Sequence, residues 1–126
     1  MTKLIRGIRG ATTITEDSSV HILQETERLV LAMASENDID PEDVASVVVS
    51  TTTDISSAFP AKAVRSITGW TYVPVMCTHE MGVPGAITLC IRVLMHVNTD
   101  KSQRDIHHVY LNEAMKLRPD LTGTTK

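Results

Sequence analysis

An arginine stands inside a stretch that otherwise predicts a buried β-strand. In residues 90–99, CIRVLMHVNT, alternation places four apolar side chains on one face and Arg92 on the other. A guanidinium stays charged at every accessible pH, and its burial without a partner is costly. Arg92 therefore needs a partner that carries negative charge or oxygen atoms.

Four further cations fall within apolar patterns. Arg9 shares a strand face with small and apolar residues, Lys62 and Arg65 project from the same face of one helix, and Arg118 precedes a proline. A single arginine in a strand is more often solvated or paired within its own chain. Five cations together favour a small molecule with more than one carboxylate, because the guanidinium fork matches that group.

The sequence offers few groups for proton transfer or nucleophilic attack. Cys77 and His79 could pair in an extended segment, with Glu80 beside them, but a small core residue is the more ordinary interpretation of this cysteine. The histidines show no metal spacing, and the adjacent pair His107 and His108 would point to opposite faces of a strand. This combination favours electrostatic or conformational catalysis, or simple anion binding.

Composition narrows the class of protein. The 126 residues suit one domain, with 42% apolar residues and 3% aromatic residues, and we expect neither a signal peptide nor a membrane segment. Nine acids and one base occupy residues 16–43, so the remainder is net positive, yet no basic run indicates a nucleic-acid partner. Two widely separated cysteines predict a reduced, cytoplasmic protein.

The elements that must position these residues alternate between strands and helices. A proline at the start of the third strand suggests an edge or a bulge, and Asp40-Pro41 is typical of a helix start. We expect an α+β fold with a mixed five-stranded sheet and helices on one face, and a homo-oligomer that covers the other face. The pattern predicts strands at 3–13, 46–52, 72–77, 87–98 and 107–111, and helices at 17–35 and 59–69.

Five motifs in this order resemble the monofunctional chorismate mutases of the AroH class. The resemblance runs over nearly the whole chain, and five motifs in register make it specific. The motifs are RGIRGATT (6–13), DISSAFPAKAVR (54–65), YVPVMCTHEM (72–81), CIRVLMHVNT (90–99) and HVYLNEAMKLRPDL (108–121).

The resemblance implies a fold, an activity and an assembly. It implies ferredoxin-like subunits in a homotrimer with a pseudo-α/β-barrel core and active sites between neighbouring subunits. The reaction would be the rearrangement of chorismate to prephenate, on the route to phenylalanine and tyrosine, without cofactor or metal. We expect residues 1–121 to form the single domain and residues 122–126 a flexible tail.

The resemblance also implies roles for five catalytic residues. Arg92 would lie beside the ether oxygen of the breaking bond, which gains negative charge in the transition state. Arg9 would bind a substrate carboxylate, and Tyr110 would contact the carboxylate end. Cys77 and Glu80 would contact the ring hydroxyl.

Seven further positions are implied to bind substrate. Phe59 would form an apolar wall, and Val75 and Met76 would line the floor of the site. The positions towards its mouth would be Lys62, Arg65, Leu117 and Arg118. Two residues beside Glu80 depart from the usual pattern of the family: His79 replaces a glutamine, and Gly82 an acidic residue.

Two other functions compete with this interpretation. A small trimeric domain that binds anions without catalysis, or that regulates another protein, would have a similar fold. Cys77 could instead be the nucleophile of a hydrolase or a deaminase-like enzyme. Loss of chorismate in the presence of the purified protein would discriminate between these functions.

Overall fold

The computed structural model describes residues 4–117, which contain five strands and two α-helices. The strands are β1 (Leu4–Thr13), β2 (Val44–Thr51), β3 (Val75–His79), β4 (Cys90–Thr99) and β5 (Val109–Tyr110). The helices are α1 (Ser19–Glu36) and α2 (Ala61–Arg65), and 3-10 turns span Pro41–Asp43, Gln103–Asp105 and Asn112–Lys116.

All the predicted elements are present, although some ends differ. The expected helix over 59–69 shortens to the five residues of α2, and the predicted helix start at Asp40-Pro41 is a single 3-10 turn. Arg118 and the expected tail at 122–126 lie outside the described residues.

The five strands form one mixed sheet in the order β3-β2-β4-β1-β5. β4 pairs antiparallel with both β1 and β2, whereas β3 runs parallel to β2 and β5 runs parallel to β1. β3 is therefore an edge strand, and Pro74 lies just before it, as its missing N–H requires. The long central strand β4 carries Arg92 into the middle of the sheet.

Helix α1 covers one face of the sheet and encloses the core. Its apolar stripe, which includes Ile22, Leu29 and Met33, is fully buried together with Ile8 and Met95 of the sheet. These side chains recur at helical spacing on α1 and at alternate positions on the strands, so both periods face the same interior.

Gly10 allows α1 to approach β1 closely. A Cβ atom at this position would lie 2.5 Å from the sulfur of Met33 and 3.0 Å from a methyl carbon of Leu29. Gly10 therefore serves a close approach of helix and sheet.

The opposite face of the sheet is open. Ile5, Leu94 and Met76 on this face are 66%, 38% and 67% exposed, although Val93 and Met95 on either side of Leu94 are buried. Among the described residues, no helix is long and apolar enough to cross a membrane. Within the same part of the chain, no group of three or more potential ligand residues is arranged to hold a metal ion.

Candidate active site

The register of the sheet surrounds Arg92 with small side chains on the open face. Arg92 pairs with Ala11 of β1 on one side and with Ser50 of β2 on the other. On the far side of Ala11, Tyr110 of β5 continues the same row. Paired residues project from the same face of a sheet, so a long charged side chain stands between two short ones, which leaves room above the strands.

A cavity of about 340 Å³ occupies this room. Four of the five residues implied to be catalytic line it: Arg9, Glu80, Arg92 and Tyr110. They come from β1, from the segment after β3, from β4 and from β5, so residues far apart in sequence meet through the strand order. Such a concave site with a few convergent polar groups is typical of a small-molecule site.

Glu80 is the protein's own partner for Arg92. Its Oε2 lies 3.5 Å from Arg92 Nε, and the two side chains are 26% and 37% exposed. The backbone N–H of Glu80 donates to the carbonyl oxygen of Thr51 at 2.8 Å, which ties this residue to the end of β2. At 3.5 Å the pair is held by charge without a hydrogen bond at Nε, so the guanidinium keeps donor capacity for another group.

Two buried polar atoms of the residues that line this cleft lack a hydrogen-bond partner. Among the described residues, no group accepts a hydrogen bond from Arg92 Nε or pairs with the hydroxyl of Tyr110, although both atoms are buried. Buried polar groups are normally satisfied in folded proteins. Arg92 and Tyr110 both line this cavity, which makes these two atoms candidates for hydrogen bonds to a ligand with oxygen atoms.

Cys90 adds no nucleophile to this cleft. Burial raises the pKa of its thiol to about 11, an effect that exceeds the opposing influence of the Arg92 guanidinium. The thiol is therefore neutral at physiological pH, and it packs in a small cluster with Ala11, Tyr110 and Ala114.

Phe59 and Cys77 line a second, separate cavity of about 460 Å³. Phe59 is 76% exposed there, and the Sγ atom of Cys77 accepts a hydrogen bond from the backbone N–H of Ala61 at 3.3 Å. His79 also lines this cavity, but its Nε2 atom lies 3.3 Å from the carbonyl oxygen of Ile55. The groups that could have formed a cysteine–histidine pair thus each contact the backbone.

Strand geometry explains why Cys77 and Arg92 do not meet within one chain. Cys77 pairs with Val49, which is completely buried, whereas Arg92 pairs with Ser50 on the open face. Since successive side chains of β2 point to opposite faces, Cys77 and Arg92 also lie on opposite faces. The five residues implied to be catalytic, together with the implied substrate-binding residue Phe59, fall into two groups at the two cavities. We call them the Arg92 half-site (Arg9, Glu80, Arg92, Tyr110) and the Phe59 half-site (Phe59, Cys77).

The remaining predicted site residues lie around these two cavities. Lys62 and Arg65 are exposed on α2, which begins directly after the Phe59 segment. Val75 is half-buried against the core and Met76 is exposed on the opposite face of β3, while Leu117 packs against the cluster that contains Tyr110. None of these five lines either cavity, and Arg118 lies outside the described residues.

Six lining residues of this cavity were not predicted as site residues from the sequence: Gly10, Ala11, Val48, Ser50, Val93 and Leu94. Alternation in the stretch SVVVSTT places Val48 and Ser50 on one face, so their shared orientation was readable. That this face adjoins Arg92 depends on the pairing of β2 with β4, for which the sequence carries no local signal.

Comparisons with known proteins agree on one family. The family model described as chorismate mutase type I matches residues 5–121. The chorismate mutase AroH of Bacillus subtilis (strain 168) is 51% identical over 121 residues, 96% of this chain and 95% of that protein. The AroH of Thermus thermophilus is 47% identical over 119 residues, 94% and 97% of the two chains. A solved chorismate mutase from Clostridium thermocellum superposes with a TM-score of 0.85 at 46% identity, covering 87% of this chain and 97% of that one.

Proposed function

This chain belongs to the type I chorismate mutases, and we propose that its active sites form between subunits, each from an Arg92 half-site and a Phe59 half-site. It is an isomerase that converts chorismate to prephenate, a step in phenylalanine and tyrosine biosynthesis. The observation that supports the proposed site is the convergence of Arg9, Glu80, Arg92 and Tyr110 on one cavity, where Arg92 Nε and the Tyr110 hydroxyl have no hydrogen-bond partner among the described residues.

The reaction makes modest demands on the protein. One carbon–oxygen bond breaks while one carbon–carbon bond forms within the same molecule, and no proton, electron or group is exchanged with the enzyme. Catalysis then consists of holding a compact conformer and stabilising charge that appears in the transition state. No general base is required, and Glu80 is the one carboxylate among the described residues that line this cavity.

Arg92 supplies the fixed positive charge in this proposal. The ether oxygen becomes enolate-like as its bond to carbon lengthens, and a guanidinium beside it stabilises that charge more than the ground state. Glu80, at 3.5 Å from Arg92 Nε, orients the guanidinium and accepts a hydrogen bond from the ring hydroxyl. Arg9 and Tyr110 bind the carboxylates from the neighbouring strands.

The Phe59 half-site completes the cavity from a second subunit. Phe59 forms an apolar wall, Cys77 contacts the ring hydroxyl, and Val75 and Met76 form the floor, while Lys62, Arg65, Leu117 and Arg118 lie towards the mouth. Ferredoxin-like subunits in a homotrimer with a pseudo-α/β-barrel core would bring the two half-sites together. The opposite orientation of Cys77 and Arg92 and the exposed apolar side chains of the open face support this assembly.

A cytoplasmic location completes the proposal. Cys77 and Cys90 are both unpaired, as expected in a reducing compartment.

Loss of chorismate absorbance tests the proposed role of Arg92. We expect the purified protein to accelerate the reaction, and Arg92→Ala and Arg92→Gln to lower kcat by about a hundredfold or more, because a fixed charge in such a site contributes that much. Circular dichroism and the thermal midpoint should stay close to those of the unmodified protein. Near-normal turnover in these variants would remove Arg92 from the mechanism.

Subunit mixing tests the shared site. Arg92→Ala inactivates one half-site, and Phe59→Asp inactivates the other by placing a carboxylate against an anionic substrate. When the two inactive proteins are unfolded together and refolded, mixed trimers should recover part of the activity, because some sites combine two intact halves. If each site belonged to one chain, the mixture would remain inactive.

A further inference from the structure

The segment that carries Phe59 has little regular structure of its own. Residues 52–60 belong to no helix or strand, and Ser56, Ser57 and Phe59 are exposed. The backbone here lacks the ladder that fixes β4, so its position depends on side-chain anchors. One such anchor comes from about forty positions earlier in the sequence, just before α1.

The carboxylate of Asp17 forms hydrogen bonds with this segment. Its Oδ1 atom accepts hydrogen bonds from the backbone N–H groups of Ser56 and Ser57, both at 3.1 Å. Its Oδ2 atom accepts from Ser56 Oγ at 3.2 Å, and Ser57 Oγ donates to the Asp17 carbonyl oxygen at 3.0 Å. One residue therefore makes four hydrogen bonds with two consecutive residues about forty positions away.

Asp17 is itself held by helix α1. The next residue, Ser18, is the N-cap of α1, and its side chain accepts a hydrogen bond from the backbone N–H of His21 at 3.2 Å. The helix packs on the sheet through its buried stripe, so it provides a fixed support. A second contact holds the loop one residue before Ser56, where His79 Nε2 lies 3.3 Å from the carbonyl oxygen of Ile55.

We propose that Asp17 is a positioning residue, which fixes Ser56 and Ser57 so that Phe59 stands correctly in the Phe59 half-site. This role rests on the proposed function, because it acts through the apolar wall that Phe59 forms. Asp17 touches no substrate; it connects the start of α1 to a binding surface that has no ladder of its own.

The Asp17 carboxylate is charged at neutral pH. The hydrogen bond from the backbone N–H of Ser56 is the largest influence on the pKa of Asp17 and lowers it below the usual 3.8, against a smaller opposing effect of desolvation. The hydrogen bonds to the charged Asp17 carboxylate are therefore kept above pH 3.8. They weaken only as the pH falls through the lowered pKa of Asp17. Between pH 5 and 8 it should contribute no pH dependence to KM.

Steady-state kinetics of Asp17→Ala tests the role. We expect KM for chorismate to rise about tenfold with a much smaller fall in kcat, because substrate binding by the loop is lost while Arg92 keeps its place. The matched control is Glu16→Ala, which removes the same charge one residue earlier. Glu16 is exposed, and within residues 4–117 its carboxylate makes no hydrogen bond, so this variant should keep the original KM.

Two further variants separate positioning from general stability. Asp17→Asn keeps an oxygen that can accept both backbone N–H bonds, so it should restore most of the original KM. The double variant Ser56→Ala/Ser57→Ala removes both hydroxyl bonds from the loop side and should raise KM about two- to threefold. This double variant also tests the contact between Asp17 and the loop if Asp17→Ala does not fold.

A double-mutant cycle locates the effect at Phe59. If Asp17 acts through the wall, Asp17→Ala should change KM far less when Phe59→Ala is already present. Additive effects, or an unchanged KM in Asp17→Ala, would overturn the proposal.

Amide hydrogen exchange tests the hydrogen bonds of Asp17 without measuring enzyme activity. The amides of Ser56 and Ser57 should exchange faster in Asp17→Ala than in Glu16→Ala, and equal rates would also overturn the role of Asp17. An unmodified protein without chorismate mutase activity would refute the proposed function instead, and the two failures are therefore distinguishable.

Discussion

The two half-sites are held in place by different kinds of structure. The Arg92 half-site stands on the middle of a continuous ladder, where β4 pairs with β1 over ten residues and with β2 over seven. Phe59 of the Phe59 half-site stands on a segment outside any helix or strand, held by Asp17 and by contacts at its ends, whereas Cys77 lies on the edge strand β3. In the proposed mechanism, the group that meets developing charge, Arg92, is thus on the sheet, and the apolar wall, Phe59, is on the irregular segment.

The difference follows from what each group must achieve. Electrostatic stabilisation depends strongly on distance and on a fixed orientation, and reorganisation during the reaction would weaken it. An apolar wall contributes through excluded water and contact area, which tolerate small displacements. Substitutions in the sheet should therefore lower kcat or stability, whereas substitutions in the loop should chiefly change KM.

Among the conservative substitutions, the largest effect is expected for one that keeps the charge of the Arg92 half-site. Arg92→Lys retains a cation but loses the planar fork and is more strongly hydrated, so we expect kcat to fall about thirty- to a hundredfold. Stopped-assay chorismate loss at saturating substrate measures this. Activity near that of the original enzyme would mean that charge alone suffices and that the geometry of the ladder is unimportant.

Glycines sharpen the comparison through stability. Gly10→Ala places a Cβ atom 2.5 Å from the sulfur of Met33 and should destabilise the fold by about 1–3 kcal/mol, as overpacking does. Gly82→Ala in the loop before β4 meets nothing within 4 Å, so it should change the free energy of unfolding by less than about 0.5 kcal/mol. Urea titration of both variants gives the two values, and similar losses would contradict the close approach of α1 to β1 at Gly10.

Tyr110→Phe should affect binding without weakening the fold. The tyrosine hydroxyl is buried without a partner among the described residues, so its removal should not lower the thermal midpoint. If the hydroxyl binds substrate, KM should rise about five- to tenfold, because one hydrogen bond to a charged group is lost. Tyr72→Phe is the control, since Tyr72 is 95% exposed. A lower midpoint with an unchanged KM would show that the hydroxyl is structural.

The smallest effect is expected in the Phe59 half-site. Cys77→Ser keeps an atom that can accept the hydrogen bond from the Ala61 N–H, so we expect kcat/KM to fall only about two- to threefold. A loss of all activity would instead support a nucleophilic cysteine. The comparison of Cys77→Ser with Arg92→Lys contrasts a conservative change in each half-site directly.

Local patterns predicted much of the fold and part of the site. Alternation in β4 placed Arg92 opposite the buried face, and Pro74 marked the edge strand. The helix at 59–69 was predicted too long, since only Ala61–Arg65 forms α-helix. Its apolar residues beyond Arg65, such as Ile67 and Trp70, are buried without continuing the helix, so the core rather than propensity decided where it ends.

Other features were beyond any local pattern. The hydrogen bonds of Asp17 with Ser56 and Ser57 join residues about forty positions apart. From the sequence alone, serines in a loop predict only contact with solvent. The division of the predicted catalytic residues into two half-sites was equally hidden, although Cys77 and Glu80 are three positions apart in sequence.

The sequence by itself determined which side chains share a strand face, which stripe of α1 is buried, and, through five motifs, the family. These properties depend on the fixed periods of helix and strand, which are set by local covalent geometry. Only the tertiary structure decided that Ala11 and Ser50 flank Arg92 and that Cys77 lies on the opposite face. Strand order and register arise from packing and hydrogen bonds between residues far apart in the chain, and the local period carries no information about them.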